Sequence, residues 1–567
     1  MTTRDRAVIG ALAVLLLAIS AAIAAPAFSR RTGPSPSPVE SASPLSAVHA
    51  YREGILSRPT SINPLTASTQ ADRDIVALVF SGLTRLGPEG SVVPDLAERW
   101  STDEAGSSWV FSIRPDAVWQ DGVAVTSDDV VFTIQTLQDP AYAGPTAESW
   151  AEVAVSALDA RTVQFDLKTP VAGFLNATTQ PLLPAHILAG VPASALADDP
   201  FSRSPIGSGP FRLVSWDDLE ADLEPAFPDA TPVPAGSPAA PSAGPKRVQP
   251  YLVKVELHFY SDPAQLADDF RKGNLEAAVG LPPSMANDIL ASPGSRLVRY
   301  PRSTFTGIVL NLRISHRELR DVRVRRALLQ ALDRSKLITD VLDGTGVRAD
   351  TPIPPSSWAS DPSAQAPVKF DPKAAATGLK AAGWKQVKGR WVAPGGSSAF
   401  RLQLLAPNAS ASPLVWATAQ EVDAAWTRFG LTVDLEGMPP ADLVGGRLQT
   451  GLFGAAALDI NVGLDPDLYP LLASTQTASR SNISGLQLPA LDALLEAARR
   501  PASTEVRKQA FKALETDLAA NLYVLPLFFR DEVVVLSDRV QGPAPRPISD
   551  PADRYWDVLT WRLASGR

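Results

Sequence analysis

From Ala7 to Ser29 the chain carries no charged side chain, and arginines close the run on both sides, Arg4 and Arg6 before it and Arg30 and Arg31 after it. Centred on Leu15, Leu16 and Leu17, it is long enough to cross a hydrocarbon core of ~30 Å as a helix. Ala22, Ala24, Ala25 and Ala27 also offer A-x-A-like cleavage sites. Residues 1–31 therefore read as a cleaved secretory signal or as a retained membrane anchor. Residues 32–47, rich in Pro and Ser, read as an extended tether. Both readings imply export, so the body beyond the tether is expected on the extracytoplasmic face of the membrane.

That body is too long for one hydrophobic core, since the chain has 567 residues and single cores stop growing at about 250–300. Hydrophobic residues at 45% and charged residues at 20% exclude wholesale disorder, a collagen-like repeat and a multi-span membrane protein. The formal net charge is −8 and basic residues do not run beyond pairs, which argues against a nucleic-acid partner. Cysteine is absent, so disulfides, thiolate metal sites and a cysteine nucleophile are excluded.

Local patterns place several elements. Thr126 followed by Asp129 is a capping-box pattern that starts a helix at Ser127, with Val130, Ile134 and Leu137 on one face. Asp321 can cap a helix whose Val324, Ala327, Leu328 and Ala331 share a face; its Arg323, Arg325 and Arg326 read as solvated. Val506, Ala510, Leu514 and Leu518 mark a later amphipathic helix, after which YVLPLFF and EVVVLS return the chain to a sheet. FRLVSW and YLVKVELHFY alternate with period two and read as an antiparallel pair, with the Pro/Ala/Gly/Ser-rich stretch 225–247 as a surface insertion at their hairpin tip. Asp121-Gly122 reads as a tight turn, and Gly207 and Gly209 as points of close backbone approach. Trp100, Trp109, Trp119 and Trp150 read as core.

The search for chemistry finds no G-x-S-x-G, S-x-x-K, H-E-x-x-H, P-loop or G-x-G-x-x-G motif, and the four histidines are scattered. No cofactor or metal site is expected and no enzymatic activity is inferred, although a carboxylate-only hydrolase survives the motif test.

Nine segments in order resemble one family. They are SINPL (61–65), VFSGLTRLGPEGSVVPDLAERW (79–100), WVFSIRPDAVWQDGVAVTSDDVVFTI (109–134), IGSGPFRL (206–213), FRKGNLEAAV (270–279), GIVLNLRISHRELRDVRVRRALLQALDRSKLI (307–338), AAGW (381–384), LDPDLYPLL (464–472) and NISGLQLPALDALLEAAR (482–499). The chain from about residue 48 to 560 resembles the family 5 solute-binding proteins of ABC importers, the dipeptide, oligopeptide and nickel-binding group. The resemblance implies an α/β, two-lobed periplasmic-binding-protein-like fold of type II with a multi-stranded hinge. Lobe one would comprise 48–300 with 89–204 as an extra subdomain, lobe two 301–529, and 530–567 would return to lobe one. It implies a monomer that encloses a peptide or other small polar solute between its lobes and delivers it to permease subunits. A tethered sensor or chaperone with the same fold is the alternative, and the absent cysteine removes the lipid anchor common among exported binding proteins.

For the ligand site the resemblance points to LDINVGLDPDLYPLL, where Asp459 would pair with a ligand amine; Asn461 lies two positions on. The closer spacing to the D-P motif associated with peptide binders falls on Val462 instead, and a water-facing turn is the competing reading of Asp459. Thr69 and Gln70, placed just upstream of a helix expected near Arg73, would line the cleft from lobe one. Thr304 and Phe305 would face it after the crossing into lobe two; a buried strand position is the alternative for Phe305.

Overall fold

The computed structural model describes residues 50–564, except 143, 145–146, 228–230, 233–247, 291–292 and 480. The expected signal or anchor, the tether and most of the 225–247 insertion lie outside the described residues. Among those described, no helix is long and apolar enough to cross a membrane.

An 11-stranded sheet runs through the described chain in the order Thr432–Met438, Arg401–Pro407, Ala455–Asn461, Ser295–Leu310, Val524–Ser537, Ala277–Val279, Tyr51–Ile55, Val255–Phe259, Glu220–Pro225, Phe211–Trp216, with Gly346–Arg348 paired to Val524–Ser537. Its two long central strands are antiparallel partners, and their register breaks between Pro301 and Phe305. At that break the hydrophobic interior divides. Phe305 and Phe529 belong to a core built from residues between them, whereas Val298, Tyr300 and Val534 belong to a core shared with Tyr51–Phe259 and Val540–Trp561. The molecule is thus two α/β lobes joined by strands that run through both, a hinge of hydrogen-bonded backbone.

A separate four-stranded antiparallel sheet, Ala97–Thr102, Ser108–Ile113, Thr162–Leu167 and Val153–Asp159, adds a subdomain. Trp109, Trp150, Phe165 and Phe174 fill it with ring centroids 5.4–6.0 Å apart. Trp109, Trp119 and Trp150 are buried, and Trp100 is half-buried against Phe111.

Helix Ser127–Gln138 starts where its cap requires, the Thr126 N–H donating to Asp129 Oδ2 at 2.8 Å. Gly122 holds φ 91°, as the turn demands. Asp321 caps helix Val322–Gln330 through the Arg323 N–H at 2.8 Å. The solvated reading of its arginines fails at Arg325, which is buried and donates to the carbonyls of Leu319, Arg320 and Asn521. Asn521 closes helix Thr504–Asn521, so Arg325 neutralises the negative end of another helix. On that later helix Leu514 and Leu518 are buried as the stripe predicts, but in its first half Arg507 and Phe511 point inward in place of Val506, which is exposed, and Ala510, which is half-buried. FRLVSW and VELHF are not partners either. Glu220–Pro225 lies between them, antiparallel to both; it is the hairpin partner of FRLVSW across the short turn 217–219, with Ala221 and Leu223 buried.

Gly207 and Gly209 press against the end of helix Gln70–Val79, and Gln120 Nε2 donates to the carbonyls of Val79, Gly209 and Phe211 at 2.8–3.3 Å. A Cβ at Gly207 would sit 1.9 Å from the Val79 carbonyl oxygen. Gly207→Ala is expected to cost about 3 kcal/mol in a urea melt, the upper end for overpacking, because the obstruction is backbone. Gly190→Ala, where a Cβ meets nothing within 4 Å, should change the midpoint little.

One ionic cluster fastens the C-terminal segment to lobe one. Arg554 donates to both oxygens of Asp74 at 2.7 Å and to Glu53 at 2.5 Å, and the Tyr51 and Tyr555 hydroxyls donate to Glu53. Burial pushes the Asp74 carboxyl from 3.8 up to about 6 against the pull of Arg554. The folded state then holds a proton that the unfolded chain has already released. Stability from this group is therefore present below pH ~4 and lost as pH rises through ~6. At Asp72 burial also opposes ionisation, but N–H groups of Thr69, Thr60, Ser61 and Ser68 outweigh it and hold the carboxyl low; its contribution is lost as pH falls below ~4. Melting temperature is expected to peak near pH 4–5 and decline toward pH 7, and Asp74→Asn should flatten the decline. A Tm that rises steadily from pH 4 to 7 would refute this.

Candidate ligand-binding site

Where the central strands pass between lobes, the chain leaves a small pocket that is partly open to solvent. Glu89 and Pro547 border it from one side, Ser303 from the crossing itself, and Pro354, Ser356, Ser357, Trp358, Gly463 and Leu464 from the other. The lobes are closed on each other around it. The Ala172 N–H donates to the Arg499 carbonyl at 2.9 Å, and Asn287 Nδ2 donates to Asp343 Oδ2 at 2.7 Å.

Ser303 sits in the register break. Its hydroxyl donates to Asn461 Oδ1 at 2.7 Å and its N–H to the Ile548 carbonyl at 2.9 Å. Asn461 Nδ2 in turn donates to Ser549 Oγ at 3.0 Å. The crossing, the end of strand Ala455–Asn461 and the C-terminal segment are thereby knitted together at the pocket edge.

Trp358 is fixed from behind. Its ring meets Phe511 edge-on at 5.4 Å, and the Arg507 guanidinium lies 4.8 Å from it. Arg507 also donates in a fork to Asp465 at 2.6 and 2.8 Å, a planar match that lysine cannot make. Asp465 directly follows Gly463-Leu464, so one arginine positions both the ring and the loop that border the pocket. The carboxylate of the D-P motif is thus an internal partner of Arg507.

Of the residues expected to contact ligand, Asn461 is exposed beside Ser303 at the pocket edge. Asp459 lies on the same strand but its oxygens are engaged, one by the Thr306 hydroxyl at 2.6 Å and the other by Arg530 at 2.9 Å. It is neither a water-facing turn residue nor a free carboxylate in this closed arrangement. Val462 is buried. Thr304 is buried opposite Asn461 in the strand register. Phe305 is fully buried, its ring 5.8 Å from Phe529, so it is core and does not face the cleft; the strand turns it inward once Thr304 has passed the register break. The helix expected near Arg73 begins at Gln70 with Thr69 as N-cap, its hydroxyl accepting from the Asp72 N–H at 3.1 Å. Gln70 donates to Asp74 at 2.7 Å and accepts from Arg73, so its amide completes the Arg554 cluster.

Sequence reasoning missed Glu89, Ser303, Trp358 and Leu464 as pocket residues. Only Glu89-Gly90 carried a local signal, a turn dipeptide between short strands, and nothing in it indicated the opposite lobe. Among the described residues no group of three or more His, Asp or Glu side chains is arranged to hold a metal ion.

The family model described as bacterial extracellular solute-binding proteins, family 5 middle, matches residues 91–482. Protein XP55 of Streptomyces lividans is similar at 30% identity over 499 residues, 86% of this chain and 85% of that protein. The oligopeptide-binding protein AppA of Bacillus subtilis (strain 168) is 23% identical over 528 residues, 90% of this chain and 91% of its own. In fold, the chain is similar to NikZ from Campylobacter jejuni in complex with Ni(L-His), with a TM-score of 0.70 at 23% identity over 90% of this chain and 99% of that one.

Proposed function

The chain belongs to the family 5 bacterial extracellular solute-binding proteins, and from that premise we propose that it captures a peptide-like or other small polar solute between its lobes and delivers it to the permease of an ABC importer. In this reading lobe one is residues 48–300 with 530–567, the extra subdomain is 89–204, and lobe two is 301–529. The protein acts outside the cytoplasm, as a monomer, held by its N-terminal segment or released after that segment is cleaved.

The observation that carries the reading is the pocket at the register break, bordered by both lobes and by the crossing. A solute there touches both lobes only when they close, so binding free energy becomes a shift of the open–closed equilibrium. A permease that recognises the closed form then receives only loaded protein. Asn461 and Ser303 supply polar contacts and Trp358 an apolar wall.

The test is native and denaturing mass spectrometry of the protein from residue 45 onward, with a thermal-shift screen of peptides, sugars and metal chelates. A solute that co-purifies or raises Tm and is recovered unchanged supports capture. Recovery of cleaved products would overturn it in favour of hydrolysis, and no binding across the screen would move the reading to a sensor.

A further inference from the structure

The four-stranded subdomain meets lobe two through two of its loops, and one tryptophan braces both. The hairpin between strands Ala97–Thr102 and Ser108–Ile113 turns at Gly106, which holds φ 66°. Asp103 pins this tip, its carboxylate accepting from the Ser107 N–H at 2.7 Å and the Ser108 N–H at 3.1 Å. Trp109 Nε1 donates to the Gly106 carbonyl at 3.0 Å, and the Trp109 ring packs 5.7 Å from that of Phe174. Phe174 opens the short helix that follows the second loop, Ala172-Gly173.

Both loops end on the same stretch of lobe two. The Ala172 N–H donates to the Arg499 carbonyl, at the end of helix Pro489–Arg499. Gly106 is buried although residues 101–105 before it are exposed, because Pro501 covers it: a Cβ at Gly106 would lie 2.7 Å from Pro501 Cγ. Phe174 and Ala498 belong to different cores, so these contacts join separately packed bodies. The gripped stretch is also tied to the pocket. The Arg499 guanidinium lies 4.3 Å from the Tyr469 ring and pairs with Asp467 at 3.3 Å, and Asp467 continues the loop that begins at Gly463-Leu464 on the pocket border. On that loop Asp465 faces the subdomain, where a Cβ at Gly173 would lie 3.8 Å from its Oδ2.

Resting on the open–closed movement of the solute-binding reading, we propose that the subdomain is a latch: its two Trp109-braced loops grip residues 499–501 as the lobes meet and set how readily they close. Gly106, Ala172, Arg499 and Pro501 are not among the pocket-border residues, so the grip acts on closure and not on the choice of solute. One backbone hydrogen bond and a glycine–proline contact are too little to outweigh the open form, and solute still drives closure. What the latch changes is the fraction of solute-free protein that is closed, and apparent affinity scales with that fraction.

The test is a distance measurement by pulsed electron paramagnetic resonance on the full chain in mild detergent, with no solute added. The chain has no cysteine, so nitroxides attached through Leu158→Cys in the subdomain and Val387→Cys in lobe two, both positions more than half exposed, report the lobe separation alone. Wild type should show a longer distance and a smaller population at a shorter one. Gly106→Asn keeps the left-handed turn at little cost but sets a side chain against Pro501, and Pro501→Asp disturbs the same contact from lobe two. Each should lower the ratio of short to long distance by about 5-fold, the equivalent of one hydrogen bond lost, with Tm unchanged because both cores stay packed. Glu104→Ala, exposed on the same hairpin tip, should keep the wild-type ratio. A wild-type ratio in both Gly106→Asn and Pro501→Asp, or an equal fall in Glu104→Ala, would overturn the latch and leave solute capture standing. One fixed distance in every variant would mean lobes that do not move and would overturn both, whereas failure of the solute screen would count against capture alone.

Discussion

Replacing Arg554 with leucine is expected to be among the most damaging single changes to this fold. Arg554 is 1% exposed between Glu53 and Asp74, both 0% exposed. Its removal leaves two buried carboxylates without a counter-ion, for which about 3–5 kcal/mol is the usual cost. The loss should be read as a lower denaturant midpoint with the m-value unchanged. Should the variant fail to fold, a triple variant, Glu53→Met, Asp74→Leu and Arg554→Leu, decides the cause. Once both acids are removed with the arginine, the desolvation of three charges disappears and a large part of the stability is expected to return. A triple variant no better than Arg554→Leu would place the effect in packing. The partners lie 501 residues apart in sequence, Arg554 donating to Glu53 at 2.5 Å, so the cluster holds the two chain ends of lobe one together, and limited proteolysis should find residues 551–560 newly sensitive in the single variant.

Arg507→Leu is expected to cost a comparable amount, about 3–5 kcal/mol, because Asp465 is left without its counter-ion in a site where the two side chains are 10% and 12% exposed. It should also act on function. Arg507 positions Trp358 and the Gly463-Leu464 loop, both on the pocket border. Solute affinity is expected to fall by about 10-fold or more, with a change in tryptophan fluorescence. Arg507→Lys should retain charge but not the fork, recovering stability in part and affinity less. Wild-type affinity in Arg507→Leu would show that Trp358 is held without it.

Local sequence patterns were reliable where one segment supplies both partners of an interaction. Thr126 and Asp129 are three positions apart, so the helix start was legible, as was the Asp321 cap. The Asp121-Gly122 turn and the close approach at Gly207 and Gly209 were legible because glycine alone relieves those steric limits. Patterning misled where a second element decides orientation. Arg325 looked solvated because arginine is seldom buried alone, yet the carbonyl end of Thr504–Asn521 satisfies it. Val506 fits an apolar stripe, but Arg507 takes the inward place because Asp465 lies there to receive it.

The candidate site follows the same division. Asp459 was expected to pair with a ligand amine, but Arg530 and Thr306, which engage both of its oxygens, come from distant strands that its own segment does not reveal. Phe305 could be read as cleft or core, and the strand pairing with Phe529 decides for core.

The sequence by itself determined the family, the two-lobed α/β class and the starts of the capped helices, because ordered motifs and short-range hydrogen bonds are written in adjacent residues. Only the tertiary structure decided which charges are matched and which residues border the pocket. Pairing of a charge depends on what burial and strand register bring within about 3–4 Å, and Glu89, Ser303, Trp358 and Leu464 meet only because the lobes close over a register break in two long strands.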